Sequence, residues 1–249
     1  MPLIADKLSV AFAGLKALTG VDLTVTPGQV TGLIGPNGAG KTTLVNVMTG
    51  FQPPTEGRVA LEGVDLMGLK PHEVRRKGVA RTFQGGRLFR ELTVMDNLAV
   101  AGVGLGQSRR TAEDEAVAML DWMGIGTLEP LIAGTLPYTD ERRVAIARAL
   151  IGGPAYLLLD EPAAGMSGTE AADLAALIRR IATERNTGVL LIEHNVGLVL
   201  QVCDHIVVLD SGQVIETGPP AAIRDSERVR HAYMGTAADS PLPVLEVMA

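Results

Sequence analysis

Three stretches of the chain, Tyr156–Leu159, Val189–Ile192 and Ile206–Leu209, are apolar without a polar break. A strand wetted on one side alternates apolar and polar residues, so unbroken runs predict strands covered on both faces of a parallel sheet. Shorter β-rich runs come earlier, at Leu8–Phe12, Val21–Val25 and Val30–Ile34, the last two divided by the turn Pro27-Gly28. Lys41–Met48 reads as a helix closed by Gly50 and Pro53-Pro54, and Arg58–Leu61 as a further strand. From about Gly85 to Gly152 the pattern turns helical, with Thr111–Met123 amphipathic and Glu113, Asp114 and Glu115 near its start. Gly168–Glu184 places Leu174, Leu177, Ile178 and Ile181 at helical spacing. Strand and helix alternate around a helical insertion, which predicts an α/β domain over residues 1–236 with the insertion at about 85–152. The segment from Ala237, with two prolines and little periodicity, reads as a flexible tail over 237–249.

Composition narrows the function classes. The 249 residues are 47% hydrophobic and 20% charged, enough to bury a full core and exclude global disorder. A formal charge of −6 disfavours a nucleic-acid surface, and 3% aromatics disfavours base or sugar stacking. Cys203 is the one cysteine, so no internal disulfide forms and a reducing compartment fits. It reads as a small core residue. His72, His205 and His231 have no metal-ligand spacing. No secretory leader or membrane span is visible; Leu23–Gly40 is uncharged but broken by Pro27, Pro36 and glycines. A cytosolic globular protein is the expectation.

Gly35-Pro36-Asn37-Gly38-Ala39-Gly40-Lys41-Thr42 has the P-loop spacing, a glycine, four residues, then Gly-Lys-Thr, between an apolar run and a helix. Glycines let backbone N–H groups turn inward around phosphates, and the helix N-terminus adds its positive end. Lys41 would neutralise the outer phosphates and the Thr42 hydroxyl would hold Mg²⁺. About 120 residues on, Asp160-Glu161 closes the apolar run Leu157-Leu158-Leu159. Asp160 could bind Mg²⁺ through a water and Glu161 could polarise an attacking water. Gln84 could contact Mg²⁺ or that water, and His194, after Val189–Ile192, could reach the γ-phosphate. Any one of these is an ordinary loop or strand-end residue when taken alone.

Their order along the chain resembles the nucleotide-binding subunit of an ATP-binding-cassette (ABC) transporter, over nearly the whole length. The resemblance implies a P-loop ATPase core with an antiparallel β subdomain and an α-helical subdomain, binding ATP and Mg²⁺. It places Phe12 where an aromatic stacks on adenine, Gly35–Thr43 as the Walker A loop, Gln84 as the Q-loop, and Leu157–Glu161 as the Walker B strand. Ala164–Ser167 is similar to the D-loop and His194 to the switch histidine. It further implies two such subunits in a head-to-tail dimer with ATP between them, membrane permease subunits, and a place on the inner face of a bacterial plasma membrane.

The signature segment departs from the family's Leu-Ser-Gly-Gly-Gln, reading Leu136-Pro137-Tyr138-Thr139-Asp140. Pro137 has neither a hydroxyl nor an N–H to offer a phosphate. Thr139 could instead cap its own helix, and Asp140 and Glu141, favourable in its first turn, would lie near the partner's ATP and repel it; the alternative is a helix N-terminus that still donates its backbone N–H groups adequately. A catalytically weak, regulatory subunit is therefore one alternative.

Arg87-Leu88-Phe89, Leu92–Leu98, Glu161–Gly165, Ile192–Asn195 and Val229–Gly235 look like the branched-chain amino-acid uptake ATPases, which work with a periplasmic solute-binding protein. Leu88, Phe89 and Leu92 could receive a coupling helix of the permease, or pack the insertion's core. Lipopolysaccharide export is the neighbouring alternative, and an ABC ATPase acting on nucleic acid is disfavoured by the charge.

Overall fold

A computed structural model describes residues 1–83 and 85–234. The chain opens with a long hairpin, β1 (Leu3–Phe12) and β2 (Leu15–Val25), turned by Ala13 and Gly14, both at positive φ. Both strands start well before the apolar runs that announced them. Their outer halves alternate buried and exposed positions, so they carry half the apolar signal of a strand covered on both sides. β1 also pairs with β4 (Glu56–Leu61), which pairs with the short β5 (Val64–Asp65), giving an antiparallel sheet ordered β2-β1-β4-β5.

The second sheet holds β3 (Val30–Ile34), β6 (Val79–Arg81), β7 (Tyr156–Asp160), β8 (Gly188–Ile192), β9 (His205–Asp210) and β10 (Gln213–Gly218). Its order is β10-β9-β3-β8-β7-β6, parallel throughout except for the β9–β10 pair. The unbroken runs have their explanation here. Leu157 and Leu159 of β7 and Val189 and Leu191 of β8 enter one core cluster, while Tyr156, Leu158, Leu190 and Ile192 enter the other. Each such side chain is worth about 1.5–3 kcal/mol when fully buried. The first cluster fills the space under the helices, and the second is shared with β1, β2, β4 and α1 (Lys41–Met48).

α2 (Pro71–Arg76) precedes β6, and between β6 and β7 lie α3 (Val94–Gly104), α4 (Arg109–Trp122) and α5 (Tyr138–Leu150). α4 begins two residues earlier than its periodicity suggests because the Ser108 hydroxyl accepts from the Thr111 N–H. α6 (Gly168–Arg185) starts in a capping box between Ser167 and Glu170, and α7 (Val196–Val202), α8 (Pro220–Asp225) and α9 (Glu227–Met234) complete the chain. The expected tail at 237–249 lies outside the described residues. Among those described, no helix is long and apolar enough to cross a membrane.

Candidate functional site

The ends of β3 and β7 are separated only by β8, about 10 Å at ordinary strand spacing. β3 runs straight into the Gly35–Gly40 loop and α1. Gly35 sits at φ +151°, and a Cβ there would meet the Leu209 carbonyl oxygen at 2.0 Å. Gly40 is in the left-handed region at φ +104°, and α1 begins without a side-chain cap. The loop is thus packed against β9 from behind, and the first N–H groups of α1 are left to a ligand. A Cβ on Gly40 would strike Leu18 and the Ala17 carbonyl, so the hairpin carrying Phe12 leans on the same loop. Phe12 itself is half exposed at the hairpin tip.

Lys41 is 6% exposed, and its Nζ donates to the Gly35 and Pro36 carbonyls at 2.7 and 3.0 Å. Burial lowers its pKa, opposed by the charges of Glu161 and Asp160. The ammonium therefore stands within electrostatic reach of both acids. Thr42 is exposed, and Thr43 partly so.

The acid pair leaves β7 in two directions. Asp160 is buried, and its Oδ2 accepts from Arg81 Nη2 at 2.8 Å. Glu161 takes a left-handed backbone (φ 48°), rare for a residue with a side chain, with its N–H held by the Ile192 carbonyl at 2.9 Å. Its Oε1 lies 2.6 Å from His194 Nε2. Gln84 falls outside the described residues; its neighbour Phe83 lies between the guanidiniums of Arg81 and Arg87, 4.9 and 4.6 Å from its ring centroid.

Two residues of the site give no isolated sequence signal. Glu193 is 3% exposed and its carboxylate accepts from the Ala163 and His194 N–H groups at 2.7 and 3.2 Å. Burial raises its pKa, against the lowering effect of those backbone donors. It ties the segment after Glu161 to the histidine strand. Arg81 is the other, an ion at the end of a short apolar strand. A buried charge of that kind implies a partner, although not which one.

The signature segment departs from expectation. Pro137, not Thr139, is the N-cap of α5, and it makes no side-chain capping bond. Thr139 is already inside the helix, and its hydroxyl donates to Glu170 Oε1 at the start of α6. The Tyr138 hydroxyl donates to the Ala164 carbonyl at 2.8 Å, which binds the segment to the loop after Glu161. Asp140 and Glu141 are paired with Arg143 (3.7 Å) and Arg90 (3.3 Å). Their charge is thereby partly neutralised.

Arg75, Arg81, Arg87 and Arg148 line a groove of about 330 Å³ together with Phe83 and Phe89. Of the apolar residues expected there, Phe89 is half exposed in the groove, Leu88 packs on the core, and Leu92 is not part of the lining.

A family model described as ABC transporter matches residues 18–164. This chain belongs to that family. The ABC cassette is 44% identical to BraF of Pseudomonas aeruginosa, a high-affinity branched-chain amino acid transport ATP-binding protein, across 92% of this chain and 96% of the relative. It is 42% identical to LivG of Escherichia coli K12, of the same description, across 95% and 99%. LptB of the same organism, a lipopolysaccharide export system ATP-binding protein, matches at 35% across 94% and 97%. Among solved structures, the ADP conformation of the ATP-binding cassette MJ1267 superposes with a TM-score of 0.86 at 32% identity, covering 94% of this chain and 99% of that one. The cassette binds ATP and hydrolyses it, with an α/β P-loop architecture.

Proposed function

We infer that the chain is the ATPase subunit of an importer for branched-chain amino acids or similar small polar solutes. The observation that carries this reading is the 44% identity with BraF along 92% of the chain. LptB, an export subunit, matches at 35%, so export is the weaker reading.

The site supports a division of labour. Gly35, Pro36, Asn37, Gly38, Ala39 and Gly40 form the loop that wraps the phosphates with its backbone N–H groups, which Pro36 lacks, and Thr43 continues the same helix start. Lys41 already points into the loop, and exchanging its carbonyl partners for phosphate oxygens satisfies its charge. Phe12 offers its exposed face to the adenine. Thr42 and Asp160 are two oxygen donors on facing elements, a set that suits Mg²⁺ shared with a phosphate and water better than a dedicated protein cage. Among the described residues no cluster of three or more acidic, His or Cys side chains exists to hold a metal alone. Mg²⁺, when bound, would offset charge on the phosphate oxygens. Glu161 accepts the proton of the attacking water as its oxygen closes on the γ-phosphorus, and His194 holds that carboxylate in place. The role assigned to Gln84, which lies outside the described residues, is a further contact to metal or water.

Function as a transporter subunit calls for a second ATPase chain and for permease chains, with a solute-binding protein beyond them. The cassette would sit at the cytoplasmic face of the membrane. The signature segment of this chain is poorly equipped to complete a partner's ATP site, because Pro137 has no N–H and the Thr139 hydroxyl is engaged by Glu170. The Glu161–His194 pair argues against a purely regulatory role.

Uptake of labelled leucine by cells relying on this chain tests the reading. Lys41→Ala is expected to abolish it. Normal leucine uptake together with blocked lipopolysaccharide export would overturn the import assignment.

A further inference from the structure

Arg81 is more deeply placed than any role assigned so far explains. Its side chain is 7% exposed and that of Asp160 is 10% exposed, so the 2.8 Å bond joining Nη2 to Oδ2 is a buried ion pair. The other terminal nitrogen, Nη1, donates to Asn46 Oδ1 at 2.6 Å and lies 3.4 Å from Thr49 Oγ1, in the last turn and at the C-cap of α1, the helix that follows the phosphate loop. The guanidinium also faces the rings of Phe83 and Phe51, at 4.9 and 5.8 Å. Its Nε is buried and has no hydrogen-bond partner among the described residues.

That arrangement is costly unless the orientation it imposes is used. Two charges removed from water, with one donor left unsatisfied, would be replaced at little loss by apolar side chains of like volume if only stability mattered. The geometry does one specific thing. It takes one oxygen of Asp160 out of play and fixes the carboxylate plane, and the Asp160 N–H donating to Thr82 Oγ1 at 3.3 Å fixes the backbone beneath it. The fork reaches from the acid to the last turn of α1, so Asp160 is tied through the body of that helix to its start at Lys41 and Thr42. Arg81 also lines the arginine-rich groove on its far side, through Phe83 and Arg87.

We propose that Arg81 is a positioning residue for magnesium, turning Asp160 so that its free oxygen faces Thr42 and linking that orientation to the groove through Phe83. The proposal rests on the metal assignment of Thr42 and Asp160 made above. Residues that orient a metal-binding side chain set metal affinity by about 10–100-fold. Lys cannot replace Arg81, because a point ammonium cannot bond Asp160 and Asn46 at once in a planar fork.

The test is equilibrium binding of ADP to the full-length chain, with Mg²⁺ and with chelator, for the wild type, Arg81→Lys and Arg81→Gln, alongside their melting curves. The expected result is that ADP binds equally to all three in chelator, while half-saturation by Mg²⁺ shifts upward about 10–100-fold in both variants. Equal Mg²⁺ dependence in all three overturns the proposal. Parallel loss of metal-free binding and of melting temperature also overturns it, because Arg81 would then only hold the fold. If the wild type itself shows no Mg²⁺ dependence, the underlying metal assignment fails with it.

Discussion

The His194 imidazole donates from Nε2 to Glu161 Oε1 across 2.6 Å, from just beyond the end of β8 to just beyond the end of its neighbour β7. The contact requires the Nε2-protonated ring. It fixes a carboxylate whose backbone is already held in the left-handed region. His194→Ala releases that carboxylate and is expected to lower steady-state phosphate release about 10²-fold with ADP affinity unchanged. A variant that loses ADP binding in proportion would assign His194 to the nucleotide instead.

Thr139 and Glu170 give a prediction in acid. Glu170 is held well below its ordinary value, at about 2, first by the Thr139 hydroxyl and then by the backbone and side chain of Ser167. A carboxylate depressed in the folded state stabilises it above the unfolded pKa, and the contribution disappears as pH falls through the folded one. Thr139→Ala is therefore expected to melt lower than wild type above pH 4.5, with the gap closing toward pH 2. Melting curves across that range decide it; a gap independent of pH would mean Thr139 acts through packing alone.

Gly35→Ala probes the loop's backing. The added methyl would meet the Leu209 carbonyl at 2.0 Å at a positive φ. Destabilisation of about 2–3 kcal/mol is expected, read by urea denaturation, with weaker nucleotide binding because the loop must move. Wild-type stability and affinity would show that the loop has slack on its β9 side.

The parts of this molecule legible in its sequence are those whose cause is local. Leu157–Leu159 announce a strand because both faces of β7 are buried, and the glycines of Gly35–Thr42 announce a tight strand-to-helix loop because Gly35 and Gly40 take positive φ with no room for a Cβ. What stayed hidden depends on distant partners. Arg81 meets Asp160 from 79 residues away, and Glu193 meets the Ala163 N–H from 30 residues away. β6, only three residues long, and β10, with its mixed burial, carry too weak a pattern to announce themselves. Thr139 reads as a candidate cap because Thr caps helices well, but Pro137 already starts α5 and Glu170 claims the hydroxyl.

The claim on which the functional reading turns is that Glu161 takes the proton of the water attacking ATP bound at Lys41. Single-turnover phosphate release by the Glu161→Gln chain, assembled with its transporter partners and loaded with ATP, measures this step alone. The expected result is ATP held at wild-type affinity and a rate lower by about 10²–10⁴-fold. A rate within a few-fold of wild type would contradict the account.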